Sequence, residues 1–157
     1  MTRKTLLILL IGIAVLAACA TQPPAAAPAE RTIYMAAVEP KGGTTVDQEA
    51  FPDQPLPEGG GYILKAPDDT GRWEVETYRW EPGAIVVNQG DVVTLEIIGI
   101  NGAAHPARIE GYDVSFVVQR GHVTRVTFTA DKAGIFKIIC DTHQPSMQAD
   151  LVVLPNP

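Results

Sequence analysis

The sequence predicts an all-β protein, a sandwich built from seven or eight short strands. Between residues 73 and 154, short apolar segments recur, and several of them alternate apolar with polar residues, which is the pattern of half-buried strands. Turn-forming pairs that contain Gly separate these segments. The 157-residue chain also has 14 Gly and 13 Pro, a content that disfavours long helices. A chain of this length corresponds to about one domain.

The first three predicted strands follow one another from residue 73. In residues 73–80, Trp, Val, Thr and Arg lie on one face and two Glu, Tyr and a second Trp lie on the other. Residues 84–87 are a short apolar run after a Pro-Gly turn. Residues 92–98 alternate Val, Leu and Ile with Thr and Glu, directly after a Gln-Gly-Asp turn. This alternation predicts that one face of the strand packs on a core.

Four more strands complete the predicted sandwich. Residues 113–118 are a short, mainly apolar segment, and residues 123–129 alternate Val and Phe with Arg and Thr. In residues 134–140, the period of two places Cys140 on the same inward face as a Phe and an Ile. Residues 149–154 are an apolar segment that closes the domain. Short strands at this spacing are typical of a sandwich.

The N-terminal segment predicts export and lipid anchoring. Arg3 and Lys4 precede residues 6–18, an uninterrupted apolar run that has the length of a signal-peptide core and is shorter than the ~20 residues of a membrane-spanning helix. The run ends in Leu-Ala-Ala before Cys19, which resembles the cleavage site of a bacterial lipoprotein. We therefore expect removal of the signal peptide, residues 1–18, and lipidation of Cys19, which would anchor the protein at the membrane on its periplasmic or extracytoplasmic side. The alternative is an ordinary secretory signal with a coincidental Cys.

The exported part divides into three segments by composition. Residues 19–30 are rich in Pro and Ala without periodicity, which predicts a tether. Residues 31–72 are predicted to form a partly ordered N-terminal extension, and residues 73–157 the sandwich core. The formal net charge is −6, and removal of the basic signal segment makes it more negative. This charge argues against nucleic acid as a partner and favours a basic protein partner.

Four residues with metal-binding side chains lie near the ends of predicted strands. Cys140 ends its strand, and the loop after it contains His143 and Met147 in the pattern Cys-x2-His-x3-Met. His105 lies in the loop after residues 92–98, which in a sandwich can lie at the same end as the Cys140 loop. A thiolate, two imidazoles and a weak thioether form the ligand set of a type 1 copper centre. Taken singly, each residue has a structural alternative, such as a buried thiol or a Met that fills a gap in the core.

The same part of the chain resembles the cupredoxins, a family of copper proteins. Residues 86–95 look like the family's early strand–turn–strand, and residues 126–134 look like the turn before its copper-binding Cys. The resemblance implies a Greek-key β-sandwich with copper as cofactor, held by the four residues named above. Within the family, the chain is most similar to nitrosocyanin and to the copper domains of cytochrome oxidase subunit II and nitrous-oxide reductase.

The loop composition predicts one copper ion per chain. Dinuclear copper domains of this family require two Cys in the ligand loop, and this loop has only Cys140. Glu110 and Asp141 are nearby oxygen ligands in the sequence, and both rank below Met147 as the fourth ligand. The third His, His122, follows Gly at a turn and is expected at the surface.

These features predict an electron-transfer protein that exchanges electrons with a respiratory partner, such as a cytochrome or an oxidase complex. The sequence contains no evident Ser/His/Asp or paired-carboxylate constellation, so no catalytic residue and no enzymatic activity are predicted. One alternative is a periplasmic copper-delivery protein, although such proteins tend to use exposed ligands rich in Met, and the chain has only three Met. Another is a nitrosocyanin-like red-copper enzyme, which needs a harder axial ligand or an open coordination position.

Overall fold

The computed structural model describes residues 27–156, and within this part the chain consists of strands and loops. The twelve strands are β1 (Glu30–Val38), β2 (Lys41–Thr45), β3 (Tyr62–Lys65), β4 (Arg72–Thr77), β5 (Arg79–Glu81), β6 (Ala84–Asn88), β7 (Val92–Gly99), β8 (Ala104–Ile109), β9 (Val114–Gln119), β10 (Val123–Thr129), β11 (Gly134–Cys140) and β12 (Gln148–Leu154). No helix of the described part is long and apolar enough to cross a bilayer. The predicted signal peptide and Cys19 lie outside the described residues.

Two sheets form the predicted sandwich, and the all-β fold class is confirmed. The four-stranded sheet has the order β10-β7-β1-β5, and the five-stranded sheet has the order β6-β12-β11-β8-β9. Their inner faces carry the core, in which Leu95, Ile138 and Leu151 are completely buried. Burial of an aliphatic side chain of this size contributes roughly 1.5–3 kcal/mol. The sandwich has more strands than the predicted seven or eight, because the sequence pattern does not reveal β1 and β8.

Strand β1 lies inside the four-stranded sheet. It runs parallel to β7 and antiparallel to β5, and it buries Met35 and Ala37 in the core. Part of the sandwich therefore lies N-terminal to the predicted core of residues 73–157, within the segment 31–72.

The prediction of one continuous strand over residues 73–80 is wrong. The segment divides at Tyr78 into β4, which belongs to a three-stranded sheet of order β2-β4-β3, and β5, which belongs to the sandwich. Its burial does not follow one face, because Trp73, Glu76, Tyr78 and Trp80 are all buried. The chain changes sheets at Tyr78, where the backbone N–H bonds to the carbonyl of Gly61 at 2.9 Å instead of to a neighbouring strand.

A buried carboxylate fixes the start of β1 against the turn before β7. The side chain of Asp91 is fully buried, and it accepts hydrogen bonds of 2.8 Å from the backbone N–H groups of Ala29 and Asn88. It also pairs with the guanidinium of Arg31. Burial opposes ionisation of this carboxyl, but Arg31 and the backbone donors outweigh burial, so the pKa of Asp91 lies below its ordinary value.

Candidate metal centre

Two neighbouring strands of the five-stranded sheet position the first two candidate ligands. Cys140 is the last residue of β11 and lies opposite Ala107 of the antiparallel strand β8. His105 is the second residue of β8, paired with Val118 of β9. The sequence prediction that His105 lies in a loop is therefore wrong, because the turn after β7 is short and β8 begins at Ala104. The side chains of His105 and Cys140 are both completely buried.

The structure brings His105, Cys140 and His143 together. One ligand atom from each lies within 4.8 Å of the other two. The Cys140 Sγ is 3.3 Å from the Nδ1 of His143, and the Nδ1 atoms of the two histidines are 3.1 Å apart. Among the described residues, these three side chains form the group of His, Cys or acidic residues that could bind a metal ion.

The orientation of His105 leaves its Nδ1 free to coordinate. Its Nε2 lies 2.8 Å from the carbonyl oxygen of Asn101, and a carbonyl can only accept, so Nε2 carries the proton and donates it. The ring also rests on Gly102, where an added Cβ would lie 2.6 Å from the Cε1 of His105. A side chain at position 102 would push the imidazole away, and the backbone there has a φ of 73°, which favours Gly.

Tyr78 holds the second imidazole. Its ring stacks on that of His143, with a centroid distance of 3.8 Å and an interplanar angle of 18°. His143 is partly exposed, whereas Cys140 and His105 are not. The Tyr78 ring therefore limits the rotation of the one candidate ligand that reaches toward solvent.

The loop after β11 returns Met147 to the side of Cys140. The backbone N–H of Cys140 donates to the carbonyl of Met147 at 3.0 Å, and the N–H of Met147 donates to the carbonyl of His143 at 2.9 Å. The Met147 side chain is completely buried and belongs to the core cluster that contains Cys140. This placement agrees with Met147 as the fourth ligand, which stays a prediction.

The two lower-ranked candidate ligands, Glu110 and Asp141, lie outside the cluster. Glu110 is exposed in the turn after β8, and Asp141 is exposed and pairs with Arg108. Neither carboxylate is part of the cluster. His122 is exposed, as the sequence predicts.

The electrostatics of the cluster shift the pKa values of Cys140 and His143 downward and that of His105 upward. Burial opposes ionisation of Cys140, but its interactions with His105 and Thr142 outweigh burial, so the pKa of Cys140 is lowered. Burial, and then the nearby His105, lower the pKa of His143. For His105, burial acts in the same direction, but the interaction with Cys140 and the hydrogen bond to Asn101 prevail and raise its pKa. Thiolate and unprotonated imidazole are the forms that bind metal.

Tyr78 and Glu39 also belong to this region, although the sequence does not predict it. Glu39 is buried, pairs with Lys41 at 3.2 Å, and its backbone N–H donates to the side chain of Asn101 at 2.9 Å. Burial, followed by the interaction with Glu39, raises the pKa of Tyr78 to about 12, so the phenol is neutral. No local pattern indicates either residue, because Glu39 follows β1 and Tyr78 lies between β4 and β5, far along the chain from the ligand loop.

The donor set fits copper. A thiolate and two imidazoles with converging lone pairs suit a soft metal ion better than a hard one, which prefers oxygen ligands. The cluster contains no carboxylate, so its chemistry disfavours Mg²⁺ or Ca²⁺.

Comparison with known proteins agrees with this geometry. Residues 60–153 match the family model of the cupredoxin-like domain. The chain belongs to this family. A comparison with curated proteins gave no match.

Several solved structures of copper proteins are similar to this chain. A multicopper oxidase, mgLAC, is 16% identical with a TM-score of 0.51, and the match covers 82% of this chain and 40% of the oxidase. The copper nitrite reductase from Nitrosomonas europaea is 18% identical with a TM-score of 0.51, covering 80% of this chain and 42% of the reductase. Auracyanin A, a "blue" copper protein from Chloroflexus aurantiacus, is 16% identical with a TM-score of 0.46, covering 79% and 98%. The chain thus spans less than half the length of the oxidase and the reductase, and its likeness to these two proteins concerns the fold alone.

Proposed function

We propose that this protein is an electron carrier with one mononuclear, type 1-like copper ion per chain. The observation that carries the proposal is the convergence of three donors, the Sγ of Cys140 and the Nδ1 atoms of His105 and His143, within 4.8 Å of one another. Met147 is proposed as the weak fourth ligand. A copper ion bound by these donors would alternate between Cu(I) and Cu(II).

The chain's own residues support rapid electron exchange by holding the donors in place. His105 and Cys140 lie on paired strands, and Asn101 fixes the imidazole of His105. Tyr78 restricts the ring of His143. A rigid site changes little in geometry between the two oxidation states, and this small change keeps the reorganisation cost low.

The exposure of the ligands supports a carrier more than a delivery protein. His143 is the partly exposed member of the cluster, so electrons can enter and leave through its edge. Cys140, His105 and Met147 are completely buried. Release of a metal ion to another protein requires ligands that the recipient can reach, and three buried donors do not allow this without opening the loop.

The cellular setting is part of the proposal. Lipidation at Cys19 would hold the protein at the membrane, on its periplasmic or extracytoplasmic side, and the Pro- and Ala-rich tether would let the sandwich reach a membrane-bound partner. The net charge of −6 favours a basic redox partner, such as a cytochrome or the docking face of an oxidase complex.

One experiment tests the proposal most directly. Purified metal-free protein is titrated with Cu(II), the bound copper is measured by metal analysis, and the visible spectrum is recorded. We expect one copper ion per chain and the intense blue colour of a thiolate-to-copper charge transfer. A red protein would instead indicate a nitrosocyanin-like site, and bound copper without a charge-transfer band would favour delivery.

A further inference from the structure

Three consecutive glycines lie against the loop that carries His143. Gly59, Gly60 and Gly61 precede β3, and Gly60 forms a parallel bridge with Gln144 of the loop. They belong to the segment that carries the three-stranded sheet, so they reach the candidate metal centre from outside the sandwich. We refer to residues 59–61 as the glycine clamp.

Hydrogen bonds join the glycine clamp to the loop on both sides of Gln144. The N–H of Gly61 donates to the carbonyl of Gln144 at 2.9 Å, and the N–H of Gln144 donates to the carbonyl of Gly59 at 2.9 Å. The hydroxyl of Ser146 donates to the carbonyl of Gly61 at 2.7 Å. The same carbonyl accepts the backbone N–H of Tyr78, whose ring stacks on His143. One peptide carbonyl thus contacts both the loop and the residue that holds its imidazole.

The close approach requires glycine at these positions. A Cβ on Gly61 would lie 2.7 Å from the carbonyl oxygen of His143 and would also collide with the hydroxyl of Ser146. A Cβ on Gly59 would lie 2.5 Å from the carbonyl oxygen of Gln144, and the φ of 117° there is itself a glycine conformation. Real Cβ contacts of this length do not occur, so any side chain would move the loop or the clamp.

We propose that the glycine clamp positions the ligand loop, setting the direction of the His143 imidazole and the rigidity of residues 143–147. The clamp residues are positioning residues, because they act on the site through backbone hydrogen bonds and donate no ligand. The redox readout of this proposal rests on the proposed copper function, whereas its structural readout does not.

The test uses Gly61→Ala with two matched controls. The φ of Gly61 is not positive, so alanine there introduces a clash without backbone strain. Gly83→Ala and Gly42→Ala are the controls, since an added Cβ meets nothing within 4 Å at Gly83 and lies at an ordinary 3.9 Å from Val75 at Gly42. In metal-free protein, we expect amide hydrogen exchange at Gln144 and Met147 to become about tenfold faster in Gly61→Ala, with exchange at Leu95 unchanged. Both controls should match the wild type.

A second readout uses the copper-loaded protein. We expect Gly61→Ala to shift the charge-transfer band and the reduction potential, whereas the controls keep both at the wild-type values. Ser146→Ala removes one hydrogen bond without a clash, and it should accelerate exchange at Gln144 by a smaller factor; this variant decides the question if Gly61→Ala does not fold.

Two results would overturn the proposal. In the first, Gly61→Ala leaves the amide hydrogen exchange of the loop and the copper spectrum at wild-type values. In the second, hydrogen exchange becomes faster by the same factor in the loop and in β7, which would mean that the clamp stabilises the whole domain rather than the loop. If the wild-type protein binds no copper, the proposed function fails, but the exchange experiment on metal-free protein still decides the role of the clamp.

Discussion

The ring of Tyr78 lies against the imidazole of His143 at a centroid distance of 3.8 Å, and the two planes differ by only 18°. The buried carboxylate of Glu39 acts on the phenol of the same residue and, together with burial, raises its pKa to about 12. Tyr78 therefore lies between His143, the most exposed candidate ligand, and Glu39, the buried residue that follows β1. We infer that its flat face, rather than its hydroxyl, controls the orientation of His143.

Replacement of Tyr78 separates these two roles. Tyr78→Phe keeps the stacked ring and loses the interaction of the hydroxyl with Glu39, so we expect a stability loss of about 1 kcal/mol with little change in the copper spectrum. Tyr78→Leu removes the ring, and we expect an altered charge-transfer band as well. Denaturant titration and visible spectroscopy of both variants measure this. If the Phe variant changes the spectrum as much as the Leu variant, the hydroxyl is the important group.

Cys140→Ser tests the thiolate. The exchange of sulfur for oxygen keeps the size of the buried side chain and removes the soft donor, so we expect loss of the intense charge-transfer colour and weaker copper binding. Visible spectroscopy and metal analysis after Cu(II) titration measure both. Ser115→Ala serves as a control, because Ser115 is exposed on β9 and is not part of the cluster. A coloured Cys140→Ser protein would contradict the proposed site.

Met147→Leu tests the weak fourth ligand. Leucine keeps the buried volume and removes the thioether, while the Cys140, His105 and His143 donors stay in place, so copper should remain bound and coloured. The reduction potential should rise, because loss of a donor destabilises Cu(II) more than Cu(I). A tenfold change in the relative binding of the two states corresponds to about 60 mV for a one-electron couple, which voltammetry resolves easily. An unchanged potential would mean that Met147 only packs in the core.

The strands that the sequence predicts most clearly are those with large apolar residues at every second position. Residues 92–98 and 123–129 alternate cleanly because β7 and β10 each have one buried and one more exposed face. Strand β8 buries every second residue in the same way, but two of its three buried residues are His105 and the small Ala107, so its sequence shows no clear apolar alternation. Strand β1 follows a Pro- and Ala-rich segment and contributes the small Ala37 to the core, so its pattern is weak.

In the candidate site, the sequence indicates contacts between residues of one loop but not contacts between distant parts of the chain. The proximity of Cys140 and His143 follows from their spacing in one loop, and so the sequence indicates it. Tyr78, Glu39 and the glycine clamp come from strands and turns more than 60 residues upstream of the loop, as the distance of 85 residues between Ser146 and Gly61 illustrates. Their contacts depend on how the three-stranded sheet meets the sandwich, which no local periodicity encodes.

Cys19→Ala tests the lipid anchor. If Cys19 is acylated, the variant should move from the membrane fraction to the soluble exported fraction, because a single uncharged side chain cannot replace the acyl chains. Its copper spectrum should match the wild type, since the Pro- and Ala-rich tether separates position 19 from the sandwich. Cell fractionation with immunodetection measures the first outcome. Continued membrane association of the variant would indicate an uncleaved signal segment as the anchor.

The buried carboxylate of Asp91 predicts how stability depends on pH. Its pKa in the folded state lies below the ordinary value of 3.8, so the folded protein binds fewer protons there than the unfolded chain. The stability that Asp91 provides is therefore fully present well above pH 3.8 and is lost as the pH falls through the lowered folded-state pKa.

Asp91→Asn should remove this contribution at neutral pH. The side-chain amide of Asn cannot accept all the hydrogen bonds from Ala29, Asn88 and Arg31, because its NH2 group is a donor and must face one of these donors. We therefore expect the free energy of unfolding to fall by an amount on the order of 3 kcal/mol at pH 7. The difference from wild type should shrink as the pH falls below 3.8, because the wild-type carboxylate then becomes protonated. Urea titrations at several pH values measure both effects, with Asp131→Asn as the control at an exposed position. A stability difference that is the same at pH 7 and at pH 2.5 would show that the charge of Asp91 does not account for its effect.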